Sequence, residues 1–139
     1  MSGPVLSWSK MRRRGLLLIA VLGVVAVNMI VVVAFLPDPA PPPNTSTGQR
    51  LYLLRCATCH GTRGTGSWRA TLFLIRPGNL ADSRRMAGFS DQYLFDIIKH
   101  GGSPLGKPGM PSFGFHLSDA EIRELAAYVR SLSAGGSSP

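Results

Sequence analysis

Both cysteines of this 139-residue chain lie in one five-residue string, Cys56-Ala57-Thr58-Cys59-His60. The C-x-x-C-H spacing is the attachment pattern of c-type haem. Two thiols three positions apart on one helical turn can form thioethers to both vinyl groups of a porphyrin, and the next imidazole can bind the iron. The sequence therefore predicts one covalent haem c, tethered by Cys56 and Cys59 and bound axially by His60.

Two other kinds of site use a C-x-x-C pair. A closed zinc site at these residues would need a fourth ligand, and an adjacent Cys and His rarely reach the same tetrahedral ion. A redox dithiol normally follows a strand in a βαβ pattern, whereas residues 48–55 have helical spacing. Both alternatives stay open here, but the haem interpretation is favoured.

A long apolar run precedes the motif. Residues 15–36 contain Asn28 as their only strongly polar member, and a helix of that length spans roughly 33 Å, enough for a hydrocarbon core of about 30 Å. We expect one transmembrane helix over 15–36, after a basic cytoplasmic terminus at 1–14. Lys10 and the arginines at 12–14 place the amino terminus in the cytoplasm, so the cysteine motif lies on the opposite, periplasmic or extracytoplasmic face of a bacterial inner membrane.

A cleaved signal peptide is the alternative interpretation of this run. Val32-Val33-Ala34 resembles a small-residue cleavage site, although the apolar region of a signal peptide is usually only about 7 to 15 residues long.

Residues 37–47 are rich in proline. They predict an extended linker of about 3.1 Å per residue, or roughly 34 Å in all.

Helical patterns fill the rest of the chain, which we divide into a domain at 48–133 and a flexible tail at 134–139. One short helix leads into the cysteine motif, and a second begins at Ser90 and ends before Gly101. The clearest helix begins with a capping box at residues 118–121 and is stopped by Gly135. No stretch repeats the alternation of a β-sheet, so the predicted fold class is all-α.

The second axial ligand is expected among Met86, Met110, His100 and His116, because the other methionines lie in or before the apolar run. Met110 is favoured, since it lies in a run rich in Gly and Pro that can pass over a flat ring. Met86 is expected to fill core space. His100 is expected to cap a helix end, and His116 to lie at the surface or to cap the last helix.

Charge limits the kinds of partner. The formal net charge is +8, and four of the fifteen basic residues precede the apolar run, which leaves eleven basic and seven acidic residues after it. Such a mildly basic domain favours an acidic partner surface or is simply a solvated basic surface. It carries no concentrated basic stripe, so we expect no nucleic-acid partner.

From residue 48 to residue 132 the chain resembles the class I c-type cytochromes. The pattern is carried by Gly48, Tyr52 and the motif that ends at Gly61, by Leu125 and Tyr128 near the end of the last helix, and by the Met-Pro-x-Phe string at 110–113. The resemblance implies that the first and last helices of the domain cross at the glycine. It also implies that Met110 is the distal ligand.

In this family a proline begins a short loop in which a backbone carbonyl accepts a hydrogen bond from the proximal histidine. Pro77, followed by Gly78, is similar to that proline, although the commoner order is glycine and then proline. Pro77 is therefore included among the expected haem-binding residues. The apolar side chains between Trp68 and Ile75 are expected to pack on the core or the haem, with contact to a membrane partner as the alternative.

These expectations combine into a function. With His60 and Met110 both on the iron there is no open site, so we expect a one-electron carrier and not an enzyme, with a potential raised by the thioether. Its expected partners are redox proteins at the outer face of the membrane, membrane lipid and integral subunits of a respiratory or photosynthetic complex. The architecture is similar to the small haem subunits of nitric oxide reductases or of quinol-oxidising complexes. The alternatives are a haem enzyme or gas sensor with a displaceable Met110, and a mainly structural haem subunit.

Overall fold

The structure is a computed structural model that describes residues 5–36 and 40–135. The first helix, α1, spans Val5–Phe35. Its portion Lys10–Phe35 has a mean hydropathy of 3.1 and is long and apolar enough to cross a membrane. The helix begins before the apolar run because lysine, methionine and arginine at 10–14 are good helix formers. Parts of the predicted basic terminus (1–4), linker (37–39) and tail (136–139) lie outside the described residues.

Contacts divide the chain into two compact units, 1–37 and 38–139. The second unit contains six α-helices and one turn of 3-10 helix among its described residues. Their bounds are Thr47–Arg55 (α2), Ala57–His60 (α3), Trp68–Leu72 (α4), Ser83–Ala87 (α5), Asp91–His100 (α6), Ser103–Leu105 (3-10) and Asp119–Ser133 (α7). No strand occurs in the described part of the chain, and the predicted all-α class is confirmed.

Serine caps start the three longest helices of this unit. The hydroxyl of Ser46 accepts from the backbone N–H of Gln49 at the start of α2, and that of Ser90 accepts from Tyr93 at the start of α6. Ser118 and Glu121 form the predicted capping box of α7, in which the carboxylate accepts the N–H of Ser118 at 2.8 Å. These bonds hold the pKa of Glu121 below its usual value. Each cap satisfies backbone donors that the first turn leaves without partners.

Helices α2 and α7 cross at Gly48, as the resemblance implies. A side chain on Gly48 would overlap the backbone carbonyl of Glu124. Close approach at this point also brings the rings of Tyr52 and Tyr128 to 5.3 Å between centroids, in a tilted arrangement that aromatic pairs favour. The crossing therefore depends on the missing Cβ of one residue.

The core lies between α2, α3, α5, α6 and α7. Met86 belongs to it and is 1% exposed, so its expected role as a core residue is confirmed. The amphipathic faces of α6 and α7 supply most of the remainder. The core consists of Leu51, Tyr52, Ala57, Met86, Leu94, Phe95, Ile98, Ile122, Leu125, Ala126 and Val129.

Arg130 fastens the end of α7 to the segment between α5 and α6. Its guanidinium donates to the backbone carbonyl of Met86 at 2.7 Å and to that of Phe89 at 2.6 Å. It also contacts the carboxylate of Asp91 at 2.8 Å, but that carboxylate is 88% exposed. Because an exposed ion pair contributes little, the two carbonyl bonds are the main part of this contact.

The segment from Trp68 to Ile75 differs from the expectation of core packing. Only Ala70 is buried, while Trp68 is 54% exposed and Leu74 is 92% exposed. Leu74 has a φ of 58°, in the left-handed region, which ends the short helix and turns the chain. The sequence predicts that these large side chains pack on the core or on a haem, and packing on the core is wrong, because α4 turns only the small side chain of Ala70 inward. Packing against a haem stays a prediction.

Candidate haem-binding site

The C-x-x-C-H string forms one tight turn at the end of α2. The backbone N–H of Cys56 donates to Tyr52, and that of His60 donates to Cys56 at 2.8 Å, so the helical ladder continues through the motif. Both cysteines are free thiols and half-buried. Burial raises the pKa of Cys56 to about 12, so this thiol is protonated at neutral pH. The turn thus brings both cysteines and His60 together in one short segment.

His60 is half-buried, and one ring nitrogen is already engaged. Nδ1 lies 3.2 Å from the backbone carbonyl of Gly78. Burial lowers the pKa of His60, although this bond acts in the opposite direction, so the imidazole is neutral at neutral pH. A neutral ring that donates from Nδ1 keeps its lone pair on Nε2, which is the state of a metal-binding histidine.

The acceptor carbonyl is on Gly78, one residue after Pro77. A backbone bond from Leu80 to the carbonyl of Gly64, 2.7 Å long, holds this segment against the loop that follows the motif. The proline-containing loop therefore reaches the histidine, but Pro77 itself supplies no bond to it. The expected loop thus supplies the acceptor carbonyl, at Gly78, and a role of Pro77 in binding haem stays a prediction.

The chain turns back on the motif immediately after His60. Gly61 has a φ of 74°, and a Cβ there would lie 2.5 Å from the carbonyl of Gly66. The N–H groups of Gly66 and Ser67 donate to the carbonyls of His60 and Cys59, at 2.7 and 3.0 Å. The backbone of the motif is thus fixed from both sides.

Tyr52 adds a contact that sequence reasoning missed. Its hydroxyl donates to the carbonyl of Gly61 at 2.7 Å, and burial raises the pKa of this phenol. The bond joins the middle of α2 to the residue after the histidine. Its only signal in the sequence is an aromatic residue four positions before the first cysteine, and that signal does not distinguish tyrosine from phenylalanine.

Met110 lies on a loop fastened to the end of α6. The carbonyl of Met110 accepts from Gly102 at 2.9 Å, and the N–H of Phe113 donates to Ile98 at 3.0 Å. A Cβ on Gly101 would lie 2.9 Å from the Met110 carbonyl, and one on Gly102 would come within 3.0 Å of the Met110 Cβ. Two adjacent glycines therefore let the loop lie directly on the helix end. The Met110 side chain is half-buried and packs against the core.

The other candidates for the second axial ligand lie elsewhere. His100 is the last residue of α6 and is exposed, and His116 is also exposed. Within residues 5–36 and 40–135, no group of three His, Cys, Asp or Glu side chains is placed to hold a metal ion. The closed zinc alternative therefore finds no ligand set in the described part of the chain. A helix precedes Cys56, so the strand expected before a redox dithiol is also missing there.

These residues fit a c-type haem by the chemistry of their donor atoms. Two free thiols, one neutral imidazole with Nε2 unengaged and one half-buried thioether are the groups that two thioether links and two axial positions require. Cys56 and Met110 pack against the same core.

Comparisons with known proteins agree with this arrangement. The family model of cytochrome c oxidase, cbb3-type, subunit III matches residues 43–129. The chain is 31% identical over 107 residues to the cbb3-type cytochrome c oxidase subunit CcoP of Rhodobacter capsulatus, covering 70% of this chain and 32% of that protein. It thus spans about a third of the length of that relative.

Two small cytochromes are also similar. Cytochrome c6 of a Synechococcus species is 25% identical over 112 residues, which cover 78% of this chain and 88% of that protein. The solved structure of the c-type cytochrome KustC0563 superposes with a TM-score of 0.52 at 30% identity, and it covers 61% of this chain and 95% of the other. With a family match over most of its length, the chain belongs to the family of cytochrome c oxidase cbb3-type subunit III, and its second unit is a class I c-type cytochrome domain that follows an apolar N-terminal helix.

Proposed function

We propose that this protein is a membrane-anchored monohaem cytochrome that carries single electrons between redox proteins at the outer face of a bacterial inner membrane. Cys56 and Cys59 would hold one haem c through thioethers, and His60 and Met110 would bind its iron. The observation that carries the proposal is the bond from His60 to the Gly78 carbonyl, because it leaves a neutral imidazole with Nε2 available beside two free thiols.

When bound, the haem supplies a one-electron ferrous–ferric couple. The residues of the chain set the conditions for that couple. The Gly78 carbonyl fixes the plane of the His60 ring and raises its basicity as a ligand, and the thioether of Met110 favours a higher potential than a second imidazole would. Because His60 and Met110 would both bind the iron, no position would remain for a substrate. The chain is thus a carrier and not an enzyme by itself.

The apolar helix gives the anchor and, by our proposal, the orientation. Lys10 and the arginines at 12–14 would remain in the cytoplasm, which puts the domain in the periplasm. Two settings agree with the similarities. The relationship to CcoP supports a subunit of a respiratory complex, with integral subunits as neighbours. The similarity to cytochrome c6 supports a tethered shuttle.

The first test is the spectrum of the full-length, haem-loaded protein. Met110→Ala should abolish the thioether-to-iron absorption band of the oxidised form and lower the midpoint potential. It should also let carbon monoxide bind to the reduced form. Met86→Leu is the matched control, because it changes a core methionine of similar size and should leave band and potential unchanged. A Met110→Ala protein that kept the band would overturn Met110 as the ligand.

Carbon monoxide separates the carrier from the alternatives. Binding to the reduced unmodified protein at neutral pH would mean that Met110 is displaced easily, as in a haem enzyme or gas sensor. A haem that exchanges no electrons with the membrane complex purified alongside it would indicate a structural subunit. Purification in mild detergent, followed by identification of the accompanying proteins, tests the choice between subunit and shuttle.

A further inference from the structure

The net positive charge of the domain comes from one half of its sequence. Residues 39–81 contain five arginines and no acidic residue, at positions 50, 55, 63, 69 and 76. Residues 82–139 contain six basic and six acidic residues, so they contribute no net charge. The net +4 that follows the apolar run therefore comes from the first half of the domain, reduced by Asp38 alone.

The same half contains the exposed apolar side chains Trp68, Leu72 and Leu74, which we call the α4 ridge. Their exposed fractions are 54%, 50% and 92%, and none of them packs against the core. The Arg69 guanidinium lies over the Trp68 ring at 5.9 Å from its centroid. Segments that lie at the membrane–water interface typically combine tryptophan and leucine with arginine.

A groove beside the ridge adds polar groups that suit a phosphate. It has a volume of about 320 Å³ and runs between the loop after the haem motif and α4. Arg63 and Arg69 line it together with the hydroxyl residues Thr62, Thr65 and Ser67. Guanidinium and hydroxyl groups donate hydrogen bonds that phosphate oxygens can accept.

We propose that the α4 ridge and its groove bind the surface of an anionic bilayer. The apolar side chains would lie in the interfacial region of the bilayer, and a lipid phosphate would bind to Arg63 and Arg69. Two features favour lipid over an acidic protein. Leucine and tryptophan side chains lie next to the arginines. This combination suits a bilayer, whose anionic headgroups cover an apolar interior. The domain also follows a helix able to span a membrane by a linker of about 11 residues, so a bilayer is within roughly 34 Å.

Tethering makes weak contacts sufficient. A domain that cannot leave the membrane experiences a high effective concentration of lipid, so docking needs only a small favourable free energy. Two arginines near an anionic surface should favour the docked state by roughly 30-fold over a neutral one. Docking would hold the domain in one orientation instead of leaving it free on its linker. This inference uses the proposed anchoring, but it is independent of which proteins exchange electrons with the haem.

The test is hydrogen exchange of the full-length, haem-loaded protein in three settings: detergent, nanodiscs of phosphatidylcholine, and nanodiscs with a third of phosphatidylglycerol. We expect the amides of residues 68–76 to exchange about ten-fold more slowly in the anionic discs than in the other two settings. The protection should be lost in Leu74→Ser and in the double variant Arg63→Gln/Arg69→Gln.

Matched controls come from the neutral half of the domain. Phe115 is 92% exposed, the same fraction as Leu74, so Phe115→Ser should keep the protection. Arg84→Gln is the corresponding control for the arginines. Co-elution with the discs and the haem spectrum, recorded on the same samples, report anchoring and haem binding separately from docking.

Three results would overturn the proposal. Equal exchange in the three settings would mean that the ridge does not bind lipid. Slow exchange already in detergent would mean that the haem or the fold covers it. Protection that appears only after an acidic membrane protein is added would assign the surface to a protein partner.

Discussion

Single side chains stabilise the turn that contains His60, and Tyr52 is the clearest example. Its hydroxyl bond to Gly61 is 2.7 Å long and part-buried. Tyr52→Phe should lower the free energy of unfolding by about 1 to 2 kcal/mol, because the Gly61 carbonyl loses its partner in a buried setting. Chemical denaturation of the haem-loaded protein measures this. Tyr93→Phe is the control, since the Tyr93 ring stacks on Phe89 and no bond of its hydroxyl occurs among the described residues. Equal losses in both variants would contradict the argument.

Arg130 allows the contribution of an ion pair to be separated from that of carbonyl bonds. Arg130→Met removes both bonds to Met86 and Phe89 and should cost about 2 to 3 kcal/mol in the free energy of unfolding. Asp91→Asn removes only an exposed carboxylate and should cost less than about 1 kcal/mol. Denaturation curves of the two variants give the comparison. A larger loss from Asp91→Asn would mean that the ion pair dominates.

At the level of elements, the crossing of α2 and α7 depends on Gly48. Gly48→Ala should destabilise the domain by about 1 to 3 kcal/mol, because its Cβ overlaps the Glu124 carbonyl and the helices must separate. Gly88→Ala is the control, since a Cβ there makes only ordinary contact at 3.5 Å with Arg85. Thermal unfolding of both variants is the measurement. Unchanged stability in Gly48→Ala would show that the crossing adapts at no cost.

Local signals explain how much of the fold the sequence predicted. The starts of α6 and α7 follow from Ser90 and Ser118, whose hydroxyls act within three residues, and both caps are confirmed. Helices α4 and α5 have five residues each, too few to display a period, although Ser67 and Asp82 cap them. The exposure of the α4 ridge was missed for the same reason.

The candidate site likewise contains residues that a sequence pattern identifies and contacts that no pattern predicts. The cysteines and His60 are adjacent in sequence, and the Met110 loop has a distinctive composition, so a pattern suffices to nominate them. The acceptor for His60 lies 18 residues away, and the choice of Gly78 over Pro77 depends on backbone directions that no spacing encodes. The bonds from Arg130 cross about 40 residues and have no signal in the sequence.

At the level of the whole molecule, the contacts divide the chain at residue 37, and the core contains only residues of the second unit. Removing residues 1–37 should therefore release the domain from the membrane without changing the midpoint potential of its haem. Fractionation and spectroelectrochemistry of the truncated and full-length proteins provide the test. A shifted potential would mean that the anchor or the bilayer contributes to the surroundings of the haem.

The crossing of α2 and α7 also sets where the domain begins and ends. A Cβ added to Gly48 would lie 3.2 Å from the Cβ of Tyr128, and α7 continues for only five more residues, about 8 Å, before it ends at Ser133. Entry and exit of the polypeptide therefore lie within about two helical turns of each other. A unit with adjacent ends can be spliced into a longer chain, or repeated in tandem, without disturbing what surrounds it. Because its ends are close together, this domain can be inserted into other chains as a unit. A circular permutant that joins residue 135 to residue 46 through a short glycine linker should therefore adopt the same fold.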